Sequence, residues 1–244
     1  YFSKSKLSHK ITLDHTTLQL VHKLVSNINN SIDIGQLASL ATNDYVIVLD
    51  EYLSHSSIDL IAQIAHSPSL LKHASQYLGS RPLLKKISIY ANIPHSYGDP
   101  SGSMLWHRDS DVVTAAEYYI NLSTVSSLSG PLMVIHDEKQ HRLIYPFPKK
   151  GDGWASCGRY HDTDLFDSPI SLDRSTISSN LGPVGTVTFL DSGLHFHRGG
   201  DVSTGHRIVM RLVYLPHIKI FENHPLVNLL VRFSSYICAQ LVIC

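Results

Sequence analysis

The chain has 244 residues, 43% of them hydrophobic and 16% charged, with a formal net charge of zero. That is enough apolar material for a full core in one domain, and the lack of a basic excess removes the electrostatic ground for a nucleic-acid partner. Cys157, Cys238 and Cys244 are odd in number and lack metal-like spacing, so a reduced, cytoplasmic setting is expected. The chain opens at Tyr1 with no charged-then-apolar leader, and a retained signal peptide is not expected.

In chain order, a basic and polar start gives way to helical spacing. Asp14 can cap a helix whose Leu18, Val21, Leu24, Val25 and Ile28 recur at intervals of three and four, with Asn29-Asn30 as its stop. A short helix fits Ile34 to Leu40, and Tyr45 to Leu49 reads as a buried strand of branched residues. Ser56 and Ser57 open a helix from Ile58 to His66. Pro68 then stands in the first turn of another, whose Leu70, Leu71, Ala74 and Leu78 share a face before Gly79 ends it.

From Leu83 the period changes to two. Leu83 to Ile93 alternates in its middle, with Ile87, Ile89 and Ala91 inward. A loop rich in Gly, Pro and Ser leads to a strand at Trp106-His107. Further strands fit Val112 to Leu122, Leu132 to Ile135 after Gly130-Pro131, Gly185 to Leu190, and Arg207 to Leu215. Residues 137–180 are charged and aromatic without a long period, the character of a functional or disordered loop. The last stretch, Pro225 to Cys244, is apolar but interrupted by Asn228, Arg232, Ser234, Ser235 and Gln240. A membrane span needs roughly 20 mostly apolar residues, so a terminal helix packed on the barrel or on a dimer partner is the expectation, with interfacial membrane contact as the alternative.

Helices first and seven or eight short strands after them predict a mainly β fold with N-terminal helices. The expectation is a double-stranded β-helix, a jelly roll of the cupin kind, over about residues 83–217. A helical layer from about residues 1–80 would back it, and an apolar segment, 218–244, would complete a single domain, 1–244.

Two motifs carry chemistry. On a strand, residues i and i+2 share a face, so His107 and Asp109 can point at one centre while Arg108 points away. Far downstream, His197 leads into Gly199-Gly200. Two histidines and one carboxylate on one face of a metal, with positions left open, is the arrangement of mononuclear non-haem Fe(II) sites. His195 competes with His197, since the two share a face; only His197 leads straight into the glycines. Arg207, ten positions after His197, competes in turn with Arg211 on the same face of the same strand. An arginine near the metal end can grip a small carboxylate through two parallel hydrogen bonds, which favours Arg207. His136, His141 and His161 with Asp162 and Asp164 match no metal template, and Trp154 and Phe166 read as packing residues.

Three stretches together resemble the Fe(II)/2-oxoglutarate-dependent dioxygenases, in the phytanoyl-CoA dioxygenase-like branch. They are Leu70 to Leu84, Leu105 to Asp111 (LWHRDSD), and Gly185 to Leu215 with its His, Gly-Gly and Arg in order. The resemblance implies His107, Asp109 and His197 as iron ligands and catalytic centre. It also implies that Arg207 holds the distal carboxylate of 2-oxoglutarate, and Tyr90 is a candidate to help hold it. Iron(II), 2-oxoglutarate and dioxygen would then hydroxylate a C–H bond of a small-molecule metabolite, releasing succinate and CO2. Asp109 as a third protein ligand leaves no room for halide and disfavours a halogenase. The chain departs from relatives after Gly130-Pro131, where Val134-Ile135-His136 stands in place of a Gly-Ser-His turn. Two rival readings are a metal-dependent hydrolase or isomerase of cupin type, which has no need of Arg207, and a non-catalytic barrel that only binds.

Overall fold

The computed structural model describes residues 8–40, 45–94, 102–109, 114–137, 139–140, 158–167 and 171–217. Cys157, Cys238, Cys244, His141, Trp154 and the apolar C-terminal segment lie outside the described residues. In chain order the elements begin with β1 (Ser8–Ile11), α1 (His15–Ser31), α2 (Ile34–Leu40), β2 (Val46–Val48), α3 (His55–Ala65) and α4 (Pro68–Leu78). The strands β3 (Pro82–Asn92), β4 (Ala116–Asn121) and β5 (Leu132–Ile135) follow, then α5 (Asp162–Phe166). Last come β6 (Ile177–Ser179), β7 (Val187–Leu190), β8 (His197–Gly199) and β9 (Arg207–Pro216).

The helices start and stop for local reasons. The Asp14 carboxylate accepts from the Thr17 amide at 2.9 Å, and Ser54 caps α3 through the Ser57 amide. Pro68 opens α4, where its missing N–H costs nothing, and Gly79 closes it at φ +64°, a left-handed conformation that glycine adopts without penalty.

All strand pairings among the described residues are antiparallel. Six strands run in the order β1-β7-β4-β9-β3-β2, and three more in the order β6-β5-β8. Side-chain alternation then decides which residues face the site. On β9, Ile208, Met210, Leu212 and Tyr214 join one apolar core with Val21, Leu24 and Ile28 of α1, Leu60 and Ile64 of α3, and Leu70 and Ala74 of α4. Ile89 and Ala91 of β3, Tyr118 and Ile120 of β4, and Phe189 of β7 belong to the same core. Polar handles tie the layers: Tyr214 donates to the Ala65 carbonyl at 2.5 Å, and the His73 ring lies 2.8 Å from the Tyr118 hydroxyl. The opposite parity looks the other way. Val209, Tyr119, Leu190 and Tyr90 meet Leu132 and Val134 of β5 in a second cluster between the sheets. Every residue of β4 is buried, the polar Glu117 and Asn121 included, so the strand lacks the strict alternation of a one-sided strand.

Several expectations need correction. Val46–Val48 is an edge strand that among the described residues pairs only with β3; Val48 is 56% exposed, while Ile47 packs against the main core and Leu49, just past the strand, is buried in it, so the stretch is only partly buried. Trp106 and His107 form isolated bridges, to Tyr160 and His197, in place of a regular strand. α1 runs through Asn29-Asn30 to Ser31, and α3 begins at His55 under the Ser54 cap. The basic opening contributes β1, which pairs with β7. Within 137–180, α5 and β6 are regular elements.

The two glycine motifs prove to be one feature. The Gly200 amide donates to the Pro131 carbonyl at 2.8 Å. Gly130 sits at φ +69°, where an added Cβ would lie 2.6 Å from the Gly200 carbonyl oxygen, closer than side-chain carbons approach backbone. This close approach pins β5 to β8, the strand that begins with His197.

Candidate metal centre

Backbone pairing brings the two motifs together. His107 and His197 exchange both N–H···O bonds, at 3.0 and 2.9 Å, and the Asp109 amide donates to the Ser192 carbonyl at 3.0 Å. Alternation then turns Trp106 to the far side. Its indole donates to Asp162 at 2.7 Å, Arg198 lies over its ring, and Phe166 packs edge-on against it. Arg108 likewise leaves the centre, covering the Phe196 ring and donating to the Gln140 carbonyl.

On the near side, one ligand atom each from His107, Asp109 and His197 lies within 4.8 Å of the others, the only such cluster among the described residues. Asp109 Oδ1 stands 3.8 Å from His107 Nε2 and 4.0 Å from His197 Nε2. Each imidazole is oriented by its other nitrogen. His107 Nδ1 lies 2.8 Å from the Leu105 carbonyl and His197 Nδ1 lies 3.1 Å from the His195 carbonyl. A carbonyl only accepts, so Nδ1 carries the proton and each Nε2 presents its lone pair toward Asp109.

Electrostatics agree with that assignment. Burial and the neighbouring His197 push the His107 pKa down to about 3, and burial lowers that of His197. Burial raises the Asp109 carboxyl, but the balance of its surroundings, with the Arg211 guanidinium and a Ser192 hydrogen bond among them, holds it below the usual range. Two neutral imidazoles and one carboxylate are ready at neutral pH, in the protonation state a divalent transition metal requires.

His195 does not join them. Its Nδ1 lies 3.1 Å from the Ile135 carbonyl and 3.0 Å from Gln140 Nε2, so the segment before β8 turns this ring toward the loop after β5.

The two candidate arginines are both on the inward face of β9 but in different company. Arg207, 4% exposed, donates through Nε at 3.0 Å and Nη2 at 2.6 Å to the Asn92 side-chain oxygen, directly opposite on β3. Among the described residues no carboxylate pairs with it. Tyr90, two residues before Asn92, shares that face, and burial raises its pKa so that its phenol stays protonated. Arg211 instead donates to Asp109 Oδ2 at 2.6 Å and grips Glu117, Nε to Oε2 at 2.8 Å and Nη2 to Oε1 at 2.9 Å. Ser192 and Tyr119 hydroxyls also donate to Glu117, at 2.6 and 3.1 Å.

Sequence reasoning misses Asn92 and Glu117. Glu117 had a readable signal, a single carboxylate inside an otherwise buried strand, which demands a cationic partner. Asn92 had none, because its role depends on cross-strand register with Arg207.

No family model and no curated protein matches this sequence. Solved structures do match in fold. The epimerase SnoN from nogalamycin biosynthesis, in complex with Fe3+, alpha ketoglutarate and nogalamycin RO, gives a TM-score of 0.55 at 18% identity, over 91% of this chain and 87% of that one. EctD from S. alaskensis with 2-oxoglutarate and 5-hydroxyectoine gives 0.55 at 19% identity, covering 87% and 73%. HygX from Streptomyces hygroscopicus with nickel, 2-oxoglutarate and hygromycin B gives 0.53 at 14%, covering 88% and 84%. At these identities the likeness is one of fold: mainly antiparallel sheet with a few helices, in the jelly-roll arrangement. Among the described residues no helix is long and apolar enough to cross a membrane.

Proposed function

We propose that this chain is an Fe(II)- and 2-oxoglutarate-dependent oxygenase that hydroxylates a C–H bond of a small metabolite. The observation that carries this reading is the pairing of two features inside one roll. A His-Asp-His set presents two neutral nitrogens and one carboxylate oxygen to a single point. On the same inward strand face, a buried guanidinium has, among the described residues, a neutral amide as its hydrogen-bond partner and no carboxylate. An uncompensated buried charge is costly, and a dicarboxylic co-substrate would supply the anion.

In this reading His107, Asp109 and His197 hold the iron. Arg207, steadied by Asn92, grips the distal carboxylate of 2-oxoglutarate, and Tyr90 lies beside it. Bound iron, 2-oxoglutarate and dioxygen supply the oxidation, with succinate and CO2 released. The protein's own work is to orient both imidazoles through the Leu105 and His195 carbonyls, to keep Asp109 ionised, and to exclude water around Arg207. The neighbours support the pair of cofactors, since SnoN carries iron with alpha ketoglutarate and HygX carries nickel with 2-oxoglutarate. The motifs at Leu105 to Asp111 and Gly185 to Leu215 place the chain, in our reading, in the phytanoyl-CoA dioxygenase-like branch. We also read 1–244 as one cytoplasmic domain, with α1, α3 and α4 as a layer behind the roll. Inversion at carbon, the activity named for SnoN, is the second outcome for the same site; it differs in that the product gains no oxygen atom.

Anaerobic titration of the apoprotein with Fe(II), then with 2-oxoglutarate, tests the reading. A weak visible charge-transfer band that needs both, and that fades in Arg207→Ala, is the expected result. A folded protein that binds zinc, shows no band and turns over without 2-oxoglutarate would be the cupin-type hydrolase or isomerase. One that binds no metal would be a binding module.

A further inference from the structure

Arg211 has an arrangement that ion pairing alone does not require. Its guanidinium is held side-on by Glu117 through Nε and Nη2, and the same Nη2 also donates to Asp109 Oδ2. Glu117 is 1% exposed and accepts further bonds from the Ser192 and Tyr119 hydroxyls. Four donated hydrogen bonds fit an acceptor-only, ionised carboxylate, although burial raises its pKa against the pull of Arg211 and Ser192. Ser192 also accepts the Asp109 amide through its carbonyl, so the same residue supports both ends of the linkage. The outcome is asymmetric: Oδ2 of Asp109 is taken by Arg211, and only Oδ1 faces the two imidazoles.

We infer that Arg211, locked by Glu117 and Ser192, is a positioning residue that limits Asp109 to one metal-facing oxygen and so keeps neighbouring coordination positions open. The inference rests on the metal reading above. It assigns the two β9 arginines separate tasks, one toward a co-substrate and one toward a protein ligand, where the sequence offered them as rivals for one task. A two-point grip on Glu117 fixes the guanidinium plane, and lysine, a point donor, cannot reproduce it.

The test is Co(II) binding to the apoprotein, read by affinity and by the visible ligand-field spectrum, which needs no turnover. Arg211→Met alone strands a buried carboxylate and threatens the fold, so the variant used is Arg211→Met combined with Glu117→Gln. It should keep a cooperative thermal transition, lose about 10- to 100-fold in Co(II) affinity, and change the spectrum as Asp109 rotates or takes a second position. Arg211→Lys should fall between it and wild type. Placed on an Asp109→Ala background, the paired change should alter affinity by no more than about twofold, because its effect runs through Asp109. An undiminished loss on that background, or wild-type affinity and spectrum without it, overturns the inference and leaves the metal reading standing. Wild-type protein that binds no Co(II) overturns both.

Discussion

Arg207 and Arg211 stand four residues apart on one face of β9 and inhabit opposite surroundings. The Arg207 end of the roll is lined by Asn92 and Tyr90, hydrogen-bonding but uncharged, and leaves a buried positive charge without a carboxylate among the described residues. The Arg211 end holds two carboxylates around one guanidinium, with two neutral imidazoles beyond. In the reading proposed above, one end suits an anion and the other a cation. The difference teaches that strand parity brings a guanidinium inside, while cross-strand partners decide what it remains able to bind.

The sharpest way to break that contrast is through stability. Removing Glu117 leaves Arg211 with Asp109 alone and two buried hydroxyls without their acceptor. Glu117→Ala should cost about 3–5 kcal/mol, the range for breaking a buried pair from one side, measured by urea unfolding of the apoprotein. A cost below roughly 1 kcal/mol would mean the network is solvated and the two ends are alike. Arg207→Met should behave in the opposite way. It exchanges an uncompensated charge for a side chain of similar reach, so apoprotein stability should hold or rise by about 1 kcal/mol, even as the 2-oxoglutarate-dependent band is lost. A large loss of stability there would show that Arg207 is a structural residue with its own hidden anion.

Much of this organisation could be read beforehand, for physical reasons. The helix limits at Asp14, Pro68 and Gly79 are local chemistry, and Ile34 to Leu40 and Leu132 to Ile135 fall where spacing placed them. His107 and Asp109 could be nominated from their one-residue separation, and His197 and Arg207 from the Gly-Gly that follows the histidine, the ten-residue offset and the family resemblance. What lay beyond reach depends on register between strands. Asn92 meets Arg207 and Glu117 meets Arg211 only because β3, β4 and β9 align as they do. The same limit explains the Val46–Val48 error: branched residues specify a strand but not whether a neighbour covers it. The i, i+2 argument for His107 and Asp109 needed correction too, since their shared direction comes from single bridges to His197 and a bond to Ser192, not from a continuous strand.

The smallest expected effect separates the ends by proton competition. An exposed histidine titrates near 6.5, so two such ligands would lose about tenfold in metal affinity between pH 7.5 and 6. At the Arg211 end both imidazoles are already neutral: His107 is pushed down to about 3 by burial and by His197, and His197 is lowered by burial. Asp109 is held below its ordinary value once its charged neighbours outweigh burial. Lowering the pH from 7.5 to 6 therefore protonates none of the three, and Co(II) affinity should change by less than about twofold. The sign is fixed by the depressed values, because protons start to compete only as the pH falls toward the folded-state pKa. The unfolded chain binds its protons earlier, near 6.5, so acid weakens the fold before it empties the site. A steep loss of Co(II) affinity above pH 6, in protein whose thermal transition has not moved, would place the imidazoles in water and remove the basis for calling this end of the roll a prepared cation site.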